Sequence, residues 1–341
     1  MFFSLDHKLF FTYYPWGMVE TSHSDVIATE DPAAKLAGLR YKFSDFEGVE
    51  VGPLPHLAGE RSRLNKLKWK NFDASMIGST VGAEIDGIDL TVGISSNALE
   101  ELHQALVEYK VIFLRNQQIT SSQQVAFAES FGELEIHPFI PSNTDHPKLV
   151  RFEKGAEVGG YENSWHHDVT WREAPSKIAV LRAVSVPSTG GDTMFSDMCA
   201  AYEGLDDSIK SEIENLVAVH DFSHSFGSQV PEEKLEEIRE KYPLVEHPVV
   251  GTHPDTGKKY LFVNRIFVNH FKGMTREESL PIINSLARQA EFPEYQCRFR
   301  WSDDSIAVWD NRLVQHYALS DYWPDVRIME RASVIGEPPK S

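Results

Sequence analysis

Trp165-His166-His167-Asp168-Val169-Thr170-Trp171 is the stretch on which the reading of this chain turns. In extended backbone, residues two apart point to the same side. His166 and Asp168 then face one point together, while His167 faces away. One imidazole and one carboxylate on one face need only a second imidazole to complete a facial triad of two histidines and a carboxylate. Such a triad leaves adjacent positions open on octahedral iron(II), enough for a bidentate oxoacid and O2. Alone, a His-x-Asp pair is weak evidence, because 14 histidines make chance pairs common. Its weight comes from what accompanies it downstream.

That companion is Ile306-Ala307-Val308-Trp309-Asp310-Asn311-Arg312-Leu313-Val314-Gln315-His316-Tyr317-Ala318, followed by Asp321-Tyr322 and Arg327-Ile328-Met329-Glu330-Arg331. Between the two stretches runs Pro187-Ser188-Thr189-Gly190-Gly191-Asp192-Thr193. In order, W-H-x-D-x-T, P-S-T-G-G-D-T, W-D-N-R-x-x-Q-H and R-x-M-x-R resemble the taurine dioxygenase/2,4-dichlorophenoxyacetate dioxygenase (TauD/TfdA) family of iron(II)/2-oxoglutarate enzymes. The resemblance covers about residues 67–338 and leaves residues 1–66 as an N-terminal extension, irregular or partly mobile, before a dioxygenase domain at 67–341.

The resemblance implies a double-stranded β-helix (jelly-roll) core with iron(II) at one mouth, and 2-oxoglutarate and O2 as cosubstrates. His166, Asp168 and His316 match the metal ligands and with them the catalytic centre. Arg327 matches the arginine that holds the C5 carboxylate of 2-oxoglutarate, and Thr193 the hydroxyl donor to the same group. Guanidinium suits that task, since its planar fork matches a carboxylate and it stays charged at any working pH. Arg331 lies four residues beyond Arg327, so an extended segment aims both at one face. In the sulfonate users the family's substrate-anion arginine matches Arg331. His137, Val169, Ser225, Phe226 and Phe267 match further substrate-pocket positions. Ile140 and Glu162 depart from the taurine pattern of tyrosine and asparagine, although Asn163 follows Glu162 and a shift of the loop would restore an amide.

The implied reaction hydroxylates a small organic anion with release of succinate and CO2. A taurine-like sulfonate or a sulfate is favoured, and an aryloxy-carboxylate, a phosphonate or a natural-product acid are the alternatives. Asp168 opposes a halogenase, which needs a small residue there. A zinc hydrolase could use two histidines and an aspartate but leaves Arg327 and Thr193 unexplained. An idle organic-anion-binding paralogue has no use for an intact triad.

Bulk properties agree with a globular enzyme. The 341 residues carry 41% hydrophobic and 25% charged residues, ordinary for a folded domain. The net charge of −18 opposes binding to nucleic acid, whose phosphates demand basic patches, and to anionic membranes. No apolar run reaches the length of a membrane span, and Asp6, His7 and Lys8 interrupt any signal-peptide core. Two cysteines are too few for a disulfide framework, which suggests a reducing cytoplasm. The partner expected is a small anionic substrate, with room left for a homo-oligomer.

The periodicity predicts a mainly β chain with flanking helices, an α+β class. A hairpin-like stretch spans 75–90, and helices are expected near 96–110, from a Ser121 capping box to Gly132, and at 197–217, 232–241 and 276–290. Strands are expected at 111–114, 178–186, 245–252, 260–264, 297–301, 305–310 and 328–335. There is no G-x-G-x-x-G and no P-loop.

Overall fold

Four consecutive apolar residues, Val111-Ile112-Phe113-Leu114, have no polar face to offer water, so a strand formed by them must be covered on both sides. Such strands build the centre of the molecule. The computed structural model describes residues 41–42, 50–226 and 231–341 and divides the chain into two compact units, Met1–Pro55 and His56–Ser341. In the first unit β1 (Tyr41–Lys42) and β2 (Glu50–Val51) pair antiparallel. Most of the expected extension, including the stretch read as lacking a signal peptide, lies outside the described residues. A helix, His56–Leu64, opens the second unit, and its Leu57 and Leu64 are buried, so the folded unit begins before residue 67.

In the second unit the strands are β3 (Asp73–Met76), β4 (Ala83–Asp86), β5 (Val111–Leu114), β6 (Val150–Lys154), β7 (Ile178–Ser185), β8 (Thr193–Asp197), β9 (Val217–His220), β10 (Val245–Pro248), β11 (Val250–Thr252), β12 (Lys259–Leu261), β13 (Val268–Phe271), β14 (Gln296–Phe299), β15 (Ile306–Asp310), β16 (Val314–Ala318) and β17 (Arg327–Val334). Seven of them form one sheet in the order β3-β4-β5-β15-β7-β17-β6, and β14-β8-β16 form a second, smaller sheet. Only β4 and β5 run parallel in the larger sheet.

Strand alternation decides which layer each residue enters. Val111, Phe113, Leu181, Ala307, Trp309 and Met329 of the large sheet pack against Phe195, Cys297, Phe299 and Val314 of the small one. Their neighbours Ile112, Leu114, Val180, Ile306 and Val308 face the other way, onto Leu102, Leu106 and Tyr109 of helix Ser96–Tyr109 and Phe127 of helix Ser121–Glu129. This is the expected jelly-roll core with helices outside.

Local differences from the expected elements have local causes. The capping box of helix Ser121–Glu129 is built by Thr120, whose hydroxyl accepts the Gln123 N–H while Gln123 reaches back to the Thr120 N–H, so the cap lies one residue before Ser121. The expected helix at 197–217 is two, Met198–Glu203 and Asp207–Ile213, each opened by an aspartate. The strand expected at 245–252 breaks at Val249 into β10 and β11, which join different sheets.

Candidate active site

The W-H-x-D-x-T stretch is not a regular strand. His166 pairs with His316 at an isolated antiparallel bridge, with the two backbones exchanging hydrogen bonds of 3.2 and 2.9 Å. The chain then turns at Val169, whose φ of +48° lies in the left-handed region that a β-branched residue rarely enters. The bridge sets the two imidazoles side by side, ring centroids 4.3 Å apart. Asp168 reaches into the same space, 3.8 Å from His166 Nε2 and 3.9 Å from His316 Nε2. One donor atom from each of the three lies within 4.8 Å of the others. His167 points the opposite way, fully buried with its ring 4.8 Å from that of Phe262.

The protonation states suit a divalent metal. His166 Nδ1 donates to the Ser164 carbonyl at 2.7 Å, a contact that selects the tautomer in which Nε2 faces the other two side chains as the available ligand atom. Burial, with His166 next to it, holds His316 well below its ordinary pKa and therefore neutral. Burial would raise the Asp168 carboxyl, but the Arg331 guanidinium beside it outweighs that and brings it to about 2. Two imidazoles and a carboxylate are the donor set of non-haem iron(II) sites.

Around this triplet opens a cleft lined by apolar side chains with a few polar groups converging on it, the usual make-up of a small-molecule site. Every residue expected at the site lines it: His166, Asp168 and His316; Thr193 and Arg327; and His137, Val169, Ser225, Phe226, Phe267 and Arg331. β17 supplies Arg327, Met329 and Arg331 as alternate residues of one face. Its back is locked by Glu330, which accepts from Arg182 at 2.8 Å, Ser121 at 2.7 Å and Asn143 at 2.7 Å.

Arg327 is 7% exposed, and among the described residues no carboxylate comes within ion-pair reach of it. Its Nε donates to the Gly191 carbonyl at 3.0 Å, and its buried Nη2 has no partner. A buried guanidinium without a counter-ion is costly, so this one is poised for an external anion. Gly191 permits the approach: its φ is +69°, and a Cβ there would lie 3.0 Å from Arg327 Cδ. Thr193 Oγ1 accepts from Trp301 Nε1 at 3.0 Å, which leaves its own hydroxyl proton free to donate.

At the other end, His137 Nδ1 accepts the N–H groups of Phe139 and Ile140 at 3.2 and 3.0 Å. Its proton is therefore on Nε2, which is buried without a partner. Burial and then the Arg331 and Arg172 cations bring its pKa down to about 3, so it is a neutral donor. Arg331 differs from the expectation of a free anion-binding arginine. Its Nη1 donates to both Asp168 oxygens at 2.8 and 2.9 Å, and only its buried Nε is shown without a partner.

Glu162, not Asn163, lines the cleft, while Asn163 faces a separate depression with Trp165 and Tyr317. Lys154 neutralises Glu162 at 3.2 Å and lies over the Tyr161 ring. Lys154 escaped the sequence reading, although as a strand residue opposite Arg327 it shares that residue's face. Glu135, buried behind the site and paired with Arg172 and Ser176, escaped it as well, and no motif marks it. A third omission, Asn311, grips the Asp168 backbone.

Comparison with known proteins bears on this geometry. The family model described as "Taurine catabolism dioxygenase TauD, TfdA family" matches residues 73–333. The chain belongs to that family. This dioxygenase is 38% identical over 266 residues to an alkylsulfatase of Acinetobacter baylyi, covering 75% of this chain and 83% of that protein. It is 35% identical over 276 residues to an alpha-ketoglutarate-dependent sulfate ester dioxygenase of Pseudomonas putida, covering 79% and 91%. A solved structure of a taurine dioxygenase from Burkholderia xenovorans matches with a TM-score of 0.68 at 30% identity, over 79% of this chain and 91% of that one. The enzyme is accordingly an oxidoreductase, a 2-oxoglutarate-dependent dioxygenase with iron(II) as cofactor and O2 as second cosubstrate. Among the described residues no helix is long and apolar enough to cross a membrane.

Proposed function

We propose that this dioxygenase hydroxylates a monoanionic organic sulfate or sulfonate with an apolar tail. The observation that carries the reading is the pair of buried, unpartnered donors, His137 Nε2 and Arg331 Nε, in a cleft whose wall includes Ile140, Phe226, Ile266 and Phe267. Buried donors left without partners are costly, and an anionic head group would satisfy both. Lys154 and Glu162 neutralise each other, so the wall offers no net charge to an ammonium tail. The alkylsulfatase and sulfate ester dioxygenase relatives support a sulfate ester ahead of taurine. An aryloxy-carboxylate is the second reading, favoured by the phenylalanines of the wall and by a 32% identical 2,4-dichlorophenoxyacetate dioxygenase of Cupriavidus pinatubonensis.

Each residue has a task in this scheme. His166, Asp168 and His316 hold the metal and leave adjacent positions open. When bound, iron(II) with O2 oxidises 2-oxoglutarate to succinate and CO2 and delivers one oxygen atom to the substrate carbon. Arg327 and Thr193 hold the distal carboxylate of the oxoacid, while His137 and Arg331 fix the head group and so decide which carbon faces the metal. Val169, Ser225, Phe226 and Phe267 enclose the reacting carbon and exclude water. Hydroxylation of the carbon that bears the sulfate oxygen or the sulfonate gives a product that collapses to an aldehyde and releases sulfate or sulfite. The small substrate is the working partner in this proposal, and a reducing cytoplasm fits the two buried, free thiols Cys199 and Cys297.

Succinate release across alkyl sulfates, alkylsulfonates, taurine, aryloxyacetates and neutral alcohols tests the proposal. Alkyl sulfates should stimulate turnover most and taurine little. Stimulation by a neutral or cationic compound while no anion stimulates would overturn it.

A further inference from the structure

The W-D-N-R motif contains a residue for which the metal and substrate sites have no use. Asn311 is fully buried between β15 and β16, and its side-chain amide is saturated by backbone. Its Oδ1 accepts the Asp168 N–H at 2.8 Å, and its Nδ2 donates to the carbonyls of Asp168 at 3.0 Å and Ser176 at 2.9 Å. Both backbone groups of Asp168 therefore end on one amide. The motif's other residues hold that amide still. Asp310 Oδ1 accepts from the Arg312 N–H at 3.0 Å and from its Nε at 2.9 Å, and Asp310 Oδ2 lies 3.0 Å from His253 Nε2. Asn311's own N–H donates to the Lys177 carbonyl at 2.9 Å.

What the amide grips is strained. Val169 follows Asp168 directly and holds φ at +48°. A β-branched residue stays in that region only when its surroundings over-determine it. Asn311 supplies the constraint on the preceding residue, and the hydrogen bond from Arg172 N–H to the Val169 carbonyl, 3.0 Å, supplies it on the other side. The same short segment runs on into His316, so one turn carries one member of the triplet and fixes the backbone of another.

We propose that Asn311 is a positioning residue that holds the Asp168–Val169 turn in its strained form, so that the Asp168 carboxylate faces the imidazoles of His166 and His316. Asparagine fits the position because the Asp168 backbone and the Ser176 carbonyl together need one acceptor and two donors from a single side chain. Aspartate lacks the donors, and alanine lacks both. The inference rests on the metal-binding reading of the triplet.

Anaerobic titration of the metal-free protein with Fe(II), read by tryptophan fluorescence, tests it alongside the thermal midpoint without metal. Asn311→Ala should weaken Fe(II) binding about 10- to 100-fold, the range for residues that orient metal ligands. Adding Val169→Gly to that variant should recover part of the loss, because glycine takes positive φ without strain. A merely structural role would lower the thermal midpoint and leave Fe(II) affinity unchanged; that outcome, or a double variant that binds no better than Asn311→Ala, overturns the proposal. If Asn311→Ala does not fold, Asn311→Asp replaces it. Its added negative charge would by itself favour a cation, so weakened binding reports on geometry, and equal or tighter binding overturns the proposal. Failure of the wild-type protein to bind Fe(II) is a separate result and removes the metal reading itself.

Discussion

Replacing Arg327 by leucine should weaken 2-oxoglutarate and stabilise the ligand-free protein at the same time. The guanidinium is 7% exposed, spends one N–H on the Gly191 carbonyl and has no carboxylate partner among the described residues. A fork meeting the distal carboxylate of the oxoacid makes a charge-assisted bidentate contact of about 1.5–3 kcal/mol. Its loss should raise the KM for 2-oxoglutarate roughly 10- to 140-fold, at about 1.4 kcal/mol per tenfold. Without 2-oxoglutarate, however, the wild-type charge is buried and uncompensated. Leucine removes that desolvation cost and leaves one orphaned carbonyl at about 1–3 kcal/mol. The thermal midpoint of the ligand-free variant should therefore equal or exceed that of the wild type, and the rise in midpoint on adding 2-oxoglutarate should vanish. Arg327→Lys keeps the charge without the fork and should fall between. The assay is succinate release against 2-oxoglutarate concentration at saturating prime substrate, paired with thermal melts. An unchanged KM would refute the assignment. A variant much less stable than wild type with its KM intact would make Arg327 a structural residue.

Other expectations follow from the same geometry. His166→Ala, Asp168→Ala and His316→Ala should each abolish turnover and Fe(II) binding, whereas His167→Phe should retain both, because that ring packs on Phe262 away from the triplet; equal loss in His167→Phe and His166→Ala would sink the ligand set. His137→Phe should raise the KM of the prime substrate roughly tenfold or more by removing one donor to a charged group, with the 2-oxoglutarate KM unchanged; kinetics with each substrate varied in turn decide it. Stability of the metal-free protein should fall with acid, since burial brings His137 and His167 to about 3 against about 6.5 unfolded. The folded-state values are the depressed ones, so the unfolded chain binds more protons, and stability is whole above pH 6.5 and declines below it by up to about 1.4 kcal/mol per pH unit for each histidine. Urea titrations at pH 7.5, 5.5 and 4.5 measure this, and a flat profile contradicts it.

How much could be read beforehand depended on whether a residue's task showed in its neighbours along the chain. Val111 to Leu114 announced a doubly covered strand because four apolar residues in a row leave no other reading, and the structure buries all four. β8 and β16 were missed as strands. Thr193–Asp197 and Val314–Ala318 mix polar and apolar residues on both faces, because one face carries Thr193 or His316 toward the cleft and the ladder between them is short. The start of the folded unit was hidden for a similar reason: helix His56–Leu64 has only two large apolar residues, Leu57 and Leu64, and these are the two that anchor it.

The site shows the same limit at finer scale. Residue types with one dominant use, His166, Asp168, His316 and Arg327, stood out by motif and all face one cleft. Residues whose meaning lies in a partner far along the chain did not. Arg331 could be placed on the face of Arg327 by strand alternation, but nothing in its own segment reveals that it spans both oxygens of Asp168, 163 residues away. That contact changes what its removal tests. If Arg331 binds the substrate as proposed, Arg331→Ala would remove a donor to it and would also leave the buried Asp168 carboxylate without its cation, so the damage would extend to the His166, Asp168 and His316 triplet. A variant meant to isolate substrate recognition must therefore act on His137, whose Nε2 has no partner and whose removal leaves the Asp168 carboxylate still paired with Arg331.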